Sequence, residues 1–346
     1  MIALILAGGK GLRLWPESRR SRPKQLCALL DERSMLEQTI DRLRSAGAER
    51  IVIITGDDLA GEIAGRLLHR ADAVEILSEP VGRNTAAAVG LGLAYCQDVD
   101  EKEIIGVFPA DHHVGDENAF IQCMRRAQAA AEQGYLVTVG IRPERAETAY
   151  GYIERSRYEF AAMPEVYPVE SFREKPQRDE AARYLATGDY MWNAGIYMGQ
   201  LGLLKQEFFR FLPDIHAAAQ GGYDHCRKQY AALPDISLDH GVAERSRHMA
   251  VVPGDFGWCD LGSWNTLSEV LPADEAGNCS SGGDVLLLES ENCVVRQRHR
   301  SVVLFGVQDL VVVENDDVVM VTRRQCAQDL RRVTDHLEQQ ERFDLL

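Results

Sequence analysis

The pattern of apolar and polar positions changes character along the chain. In the first half, short apolar runs recur between longer segments of helical periodicity. Ile2–Leu6 is an unbroken apolar run closed by Ala7-Gly8-Gly9, which predicts a strand buried on both faces. Ile51–Thr55, Val74–Leu77, Ile104–Phe108 and Tyr135–Ile141 repeat that pattern. Helices are predicted from Ser34 to about Ala46, near Leu59–His69, after Asn84 and over Ala119–Glu132. The first opens on Ser34-Met-Leu-Glu37, the spacing of a capping box. Asn84 is placed to cap the alanine-rich helix that follows it. Apolar strands alternating with helices predict an α/β fold with a mostly parallel sheet covered on both faces.

Residues 150–200 read as mixed strands and short helices, and Asp255–Leu271 ends in a helical run after Trp264. The texture then changes. Asp284–Leu288, Cys293–Arg296, Val302–Gly306, Leu310–Glu314 and Val318–Thr322 are short Val- and Leu-rich runs broken by Gly, Asn and Asp, which predicts a β-only segment. Gln325–Glu341 predicts a charged terminal helix. A boundary near Pro272–Gly277 divides 1–272 from 273–346. The tail carries no evident chemistry and is expected to brace or dimerise the rest. It shows no sustained repeat, so it reads as an appendage and not as a solenoid.

Composition narrows the functional classes. The 346 residues suit a large domain plus a small one. A formal net charge of −15 argues against nonspecific nucleic-acid or anionic-membrane binding. Met1 leads directly into the first apolar run without a basic segment, so no signal peptide is expected. No apolar stretch approaches the roughly 20 residues that cross a bilayer. The eight cysteines are scattered without a C-x-x-C pair, which predicts reduced, mostly buried thiols in a cytoplasmic protein.

The densest chemistry follows the first strand. Gly8, Gly9 and Gly11 permit left-handed backbone and close approach of N–H groups to phosphate oxygens. Arg13 supplies a fork of donors and Lys24 a point charge, both suited to a triphosphate. A dinucleotide-binding loop would open a helix promptly and place an acid about 20 residues on. Here Trp15-Pro16 and Pro23 interrupt instead. The Walker pattern is absent.

Gly8–Gln25 resembles the signature of the nucleotidyltransferase superfamily that makes nucleotide sugars. Trp15, Pro16 and Pro23-Lys24-Gln25 resemble the mannose-1-phosphate guanylyltransferase family in particular, and further motifs extend the resemblance over nearly the whole chain. The resemblance implies a Rossmann-like nucleotidyltransferase domain over 1–272. It also implies a small left-handed β-helix-like domain with a terminal helix over 273–346. In such a protein Ala7, Gly8, Gly9 and Gly11 carry the nucleotide triphosphate, with Arg13 and Lys24 on the cationic positions. Lys10 and Leu12 stand where a small hydroxyl residue is common, a change the backbone cradle tolerates.

Ser78-Glu-Pro-Val-Gly-Arg-Asn-Thr-Ala-Ala-Ala88 resembles the family's base-reading motif, with Ala87 where proline is usual. Guanine presents two adjacent donors, and the acceptor-only carboxylate of Glu79 can take both. Uracil or thymine would call for an amide. Gly82 would let the base pack close, and Asn84 contacts ligand in the family reading. Asp111, in Val107-Phe-Pro-Ala-Asp-His-His113, and Asp260, in Phe256-Gly-Trp-Cys-Asp260, resemble the aspartates that hold Mg²⁺. That ion prefers one or two carboxylates plus phosphate oxygens and water. His112 and His113 are softer donors and are read as shaping the cleft. Cys259 has no base placed for it and is read as noncatalytic.

Tyr150-Gly-Tyr-Ile153, Phe172-Arg-Glu-Lys-Pro176 and Trp192-Asn-Ala-Gly-Ile196 resemble the family's sugar-phosphate segments, with Arg173 in place of an apolar residue. They imply that Gly151 contacts a sugar hydroxyl and Glu174 accepts from two. They imply also that Lys175 binds the sugar's phosphate and Asn193 reads a hydroxyl as donor and acceptor. The expectation is transfer of GMP from GTP to mannose 1-phosphate by a homodimer. Another hexose or heptose 1-phosphate, or a noncatalytic sugar-nucleotide-binding regulator, stays open. The chain stops before any cupin-like region, so isomerase activity is not expected.

Overall fold

The computed structural model describes residues 1–9, 11–70 and 73–346. Lys10, and the expectation attached to it, lies outside them. The chain divides into two compact units that interleave along the sequence. One comprises Met1–Gly8, Ile40–Ala110 and Asp116–Trp258; the other comprises Gly9–Thr39, Asp111–Gly115 and Cys259–Leu346. These units cut across the division at residue 272 expected from sequence texture. Texture marks where the β-only run begins, but not which earlier loops pack with it.

The strands up to residue 254 are β1 (Ile2–Leu6), β2 (Arg50–Gly56), β3 (Glu75–Glu79), β4 (Ile104–Pro109), β5 (His113–Val114), β6 (Leu136–Ile141), β7 (Tyr152–Arg155), β8 (Tyr167–Arg173), β9 (Tyr190–Gln200) and β10 (Met249–Gly254). All but β5 form the sheet of the first unit, in the order β3-β2-β1-β4-β9-β6-β10-β8-β7. Strands β3, β2, β1 and β4 are mutually parallel, as are β6 and β10, while β9 runs antiparallel between the two groups. Only β8 and β9 oppose the common direction, which makes the sheet mixed but mostly parallel.

The apolar run of β1 sits near the middle of this sheet. Leu4 stands between Val52 and Val107 and is fully buried. Helix Asn84–Tyr95 buries nine of its twelve residues. Its small side chains let it lie close: a Cβ on Gly92 would meet Leu4 Cδ1 at 2.6 Å. Because β1 and β4 are parallel neighbours, the segments after Leu6 and Pro109 leave from the same sheet edge.

Asn84 departs from its expected role as a cap. It is the first residue of its helix, left-handed at φ 62°, and among the described residues its side-chain oxygen accepts only from the adjacent Thr85 N–H at 2.9 Å. The expected capping box at Ser34 does form. Glu37 accepts from Ser34 N–H at 2.9 Å, and Ser34 Oγ accepts from Glu37 N–H at 3.3 Å.

In the second unit the tail coils back on itself. Cys279 pairs in parallel with Val294, Val294 with Val311, and Val285 with Val302. Each strand thus stacks on one a single coil away, which makes the segment β-helix-like. Val319–Arg323 closes the larger sheet antiparallel to Leu310–Glu314. The core joins Leu14, Trp15, Leu29 and Met35 to Trp264, Val294, Val311, Val313 and Leu330. Trp264 has no exposed surface, and its indole N–H donates to the Trp15 carbonyl at 3.1 Å. The terminal helix covers Arg331–Gln339, shorter than expected. The chain before it is a 3-10 turn, Arg324–Asp329, which turns Ala327 into the core. No helix among the described residues is long and apolar enough to cross a membrane.

Candidate active site

The glycine-rich loop passes from one unit to the other between Gly8 and Gly9, so its two parts are described separately. In the first unit, Ala7 remains part of the sheet edge. Its N–H donates to the Ile54 carbonyl at 2.8 Å, and its carbonyl accepts from Thr55 Oγ1 at 3.1 Å. A Cβ on Gly8 would lie 3.3 Å from Glu79 Oε1. The structure thus brings the start of the loop and the expected base reader together.

Glu79 ends β3 and is 8% exposed. Its Oε2 accepts from the Tyr230 phenol, while Oε1 faces Gly8. Burial pushes the carboxyl above its ordinary value, partly opposed by the Tyr230 hydrogen bond. Tyr230 is itself fully buried, and burial and the Glu79 charge raise its pKa. Gly82 sits in open space after β3.

In the second unit, a cavity of about 590 Å³ gathers Gly11, Arg13, Lys24, Asp111 and Asp260. Gly11 is left-handed at φ 54°, and a Cβ there would stand 2.6 Å from Lys24 Cβ. Only glycine meets both demands. Its carbonyl accepts from Ser18 Oγ at 2.6 Å. Lys24 is almost fully buried. Its ammonium pairs with Asp111 Oδ2 at 2.8 Å and donates to the Asp260 backbone carbonyl. Burial works against ionisation of Asp111. The charges of Lys24 and His112 and the Lys24 hydrogen bond outweigh it and hold the carboxyl below its ordinary value. The Asp260 side chain accepts from Gly262 N–H at 3.1 Å.

The hard oxygen donors Asp111 and Asp260 line one cavity, and among the described residues no cluster of three or more His, Cys, Asp or Glu side chains could hold a metal by itself. Two carboxylates that leave the other positions to phosphate and water suit a divalent cation of the Mg²⁺ kind. His112 lines the same cavity. Cys259 is structural: burial pushes its thiol up to about 11, and its sulfur accepts from Leu261 N–H at 3.4 Å.

The expected sugar residues also come together, within the first unit. A Cβ on Gly151 would stand 2.5 Å from Glu174 Oε2 and 3.3 Å from Asn193 Cβ. The Gly151 carbonyl accepts from Asn193 N–H at 2.8 Å. The Glu174 side chain is buried and pairs with the exposed ammonium of Lys175 at 2.6 Å. Burial and the neighbouring Asp239 charge raise the Glu174 carboxyl, opposed by Lys175.

Asn193 lies in a buried polar network. Its amide nitrogen donates to Asp239 Oδ1 at 2.8 Å and to the Tyr197 hydroxyl at 3.0 Å. Its oxygen accepts from Thr138 Oγ1 and from Gly195 N–H, both at 3.0 Å. Both amide protons are engaged inside the protein, while Thr138 Oγ1 has one proton to share between the Asn193 oxygen and the Ile196 carbonyl. Asp239 was not singled out from sequence. A lone acid in Leu238-Asp239-His240 carries no signal until Asn193, Tyr197 and Glu174 are seen around it. Tyr230, a single aromatic 151 residues from Glu79, was missed for the same reason.

Known proteins resemble this chain over nearly its whole length. The nucleotidyl transferase family matches residues 2–277, and the mannose-P isomerase/GMP-like β-helix domain matches residues 283–337. Mannose-1-phosphate guanylyltransferases of Klebsiella pneumoniae and Escherichia coli are each 36% identical over 99% of this chain, which spans 75% of their length. A solved structure from Thermus thermophilus, described as a mannose-1-phosphate geranyltransferase, is 37% identical. It superposes with a TM-score of 0.89 over 97% of this chain and 99% of its own. Nucleotidyltransferases of this type generally use a divalent metal. A nucleotidyl transferase region over most of its length, followed by a β-helix, makes this chain an enzyme that belongs to the mannose-1-phosphate guanylyltransferase family.

Proposed function

We propose that the protein transfers GMP from GTP to α-D-mannose 1-phosphate, giving GDP-mannose and pyrophosphate. The observation that carries the reading is the convergence of Gly11, Arg13, Lys24, Asp111 and Asp260 on one cavity. A phosphate oxygen of the sugar attacks the α-phosphorus of GTP in line. The bond from that phosphorus to the bridging oxygen of the β-phosphate breaks, and pyrophosphate leaves. The attacking oxygen is already anionic, so no general base is needed and catalysis rests on positioning and charge neutralisation.

Arg13, Lys24 and the backbone of Gly8, Gly9 and Gly11 neutralise and hold the triphosphate. Glu79, with Gly82 and Asn84 beside it, selects guanine through its acceptor pair. Gly151, Glu174 and Asn193 take sugar hydroxyls, Lys175 takes the sugar phosphate, and Asn193 also holds Asp239 in place. Mg²⁺ bound by Asp111 and Asp260 would add neutralisation of phosphate charge.

The protein is further read as a cytoplasmic homodimer. All eight cysteines are free, as expected under reducing conditions. Leu286 and Leu288 stand in register beside Val303 and Phe305, and all four are more than half exposed. A contiguous apolar face of this kind suits burial against a second copy. A monomer by light scattering would contradict that.

Pyrophosphate release across a matrix of nucleotides and sugar 1-phosphates tests the reaction. Equal or faster turnover of UTP or dTTP overturns the guanine assignment, and equal turnover of glucose 1-phosphate overturns mannose.

A further inference from the structure

The triphosphate cavity has a wall that the glycine-rich loop does not supply. Arg331, Asp335 and Glu338 of the terminal helix line it. The loop and the tail are tied to each other nearby. The Trp15 indole donates to the Leu345 carbonyl at 2.8 Å, and Arg20 N–H donates to the Leu346 carbonyl at 2.9 Å.

The cations of this cavity are not equally available. Lys24 is held by Asp111 at 2.8 Å, and Arg20 by Glu338 at 2.6 Å. Arg13 makes no hydrogen bond or ion pair to the described residues. Arg331 is 82% exposed, and its one ion pair among the described residues is a loose 3.9 Å approach to Asp335. Its backbone is nonetheless fixed, because Ala327 and Leu330 just before it are buried in the core. A solvent-exposed, loosely paired guanidinium on an anchored stem is suited to a multidentate oxyanion.

We propose that Arg331 is a phosphate-binding residue of the active site, taking the β- and γ-phosphates of the nucleotide in the forward reaction and pyrophosphate in the reverse. The assignment rests on reading the cavity as the triphosphate site. It makes the terminal helix part of the reaction centre and not only a brace. Asp335 and Glu338 then serve to hold Arg331 and Arg20 near the cavity until phosphate replaces them.

The test uses the full chain with Arg331→Ala and Arg331→Lys. Titration calorimetry with inorganic pyrophosphate and Mg²⁺ is run beside steady-state kinetics in both directions. Arg331→Ala is expected to weaken pyrophosphate binding about tenfold and to raise KM for pyrophosphate and GTP by a similar factor. KM for the sugar phosphate stays unchanged, and Arg331→Lys recovers part of the loss. Pyrophosphate binding within twofold of the parent in Arg331→Ala, or equal rises in all three KM values, overturns the proposal. If the parent binds pyrophosphate through Arg331 yet turns over no nucleotide, the proposed reaction fails and this assignment stands. If the parent turns over GTP and Arg331→Ala does so equally well, the reverse holds. Thermal unfolding of the variants close to the parent is expected, since the Arg331 side chain is exposed.

Discussion

The ammonium of Lys24 lies 2.8 Å from the carboxylate of Asp111, so a residue expected to meet a triphosphate is paired with a residue expected to meet a metal. Lys24 also donates to the backbone carbonyl of Asp260. One buried cation therefore links both segments that carry the proposed metal carboxylates. Its charge helps keep Asp111 ionised in spite of partial burial.

Asp111→Asn separates these roles. Turnover is expected to fall more than about a hundredfold, because the cavity loses a hard anionic donor. The pH dependence has a definite sign. Asp111 titrates below its ordinary value in the folded protein, so its stabilising contribution is present above the unfolded pKa of about 3.9 and is lost as pH falls through the lower folded value. Denaturant midpoints measured from about pH 5 down to about pH 3 should fall more steeply for the parent than for Asp111→Asn. Parallel curves would remove the electrostatic role given to the pair.

Gly11→Ala tests the loop's backbone. A methyl there would stand 2.6 Å from Lys24 Cβ on a residue held at φ 54°. A loss of roughly 1–3 kcal/mol is expected from the backbone alone, with displacement of Lys24 in addition. Gly65→Ala is the contrast. It lies in helix Asp57–Leu67 with open space around its missing side chain, and should gain about 0.5–1 kcal/mol. Equal stability changes in the two variants, by thermal or chemical unfolding, would show that the close approach at Gly11 does not matter.

How much of this was legible in sequence follows from range. Ile2–Leu6 declared itself as a buried strand because five consecutive apolar residues have few other uses, and Ser34 with Glu37 declared a cap within four residues. Gly11 was readable as a conformational requirement, but its contact with Lys24 was not, since that contact depends on how the chain returns at Pro23. The interleaving of units was hidden because Trp15 and Trp264 meet only in the folded core. The network around Asn193 was hidden because Thr138, Tyr197 and Asp239 are brought to it from two strands and a turn.

Glu79→Gln sets function against stability. The Glu79 carboxyl is raised above its ordinary value, chiefly by burial. The folded protein therefore binds this proton more tightly than the unfolded chain does, and stability falls as pH rises from the unfolded pKa of about 4.3 through the folded value. Glutamine keeps an oxygen for the Tyr230 hydroxyl and carries no charge to desolvate. Glu79→Gln is expected to be at least as stable as the parent at neutral pH while kcat/KM for GTP drops by at least about tenfold, one charged acceptor being lost. A variant that kept its preference for GTP over UTP would end the base-reading assignment.

Asn193→Asp gives the clearest electrostatic test of the sugar-side cluster. In the parent, the amide nitrogen donates to Asp239 at 2.8 Å, and the Tyr197 hydroxyl donates to the same carboxylate oxygen at 2.5 Å. Replacing the amide with a carboxylate turns a donor into an acceptor against Asp239, close to the buried Glu174. Like charges in a buried cluster raise the pKa of the incoming carboxyl. Its proton is then held more tightly in the folded state, so the variant loses stability as pH rises past the ordinary Asp value of about 3.9 through that raised value. The deficit relative to the parent should be small near pH 5 and grow to roughly 2–4 kcal/mol near pH 8, the scale of an unpaired buried charge. Asn193→Ala, which takes a donor from Asp239 and from Tyr197 without adding charge, should cost a similar amount at both pH values. Denaturant titrations of both variants at the two pH values separate the effects. A pH-independent deficit in Asn193→Asp would show that Asn193 packs beside Asp239 without setting its electrostatics.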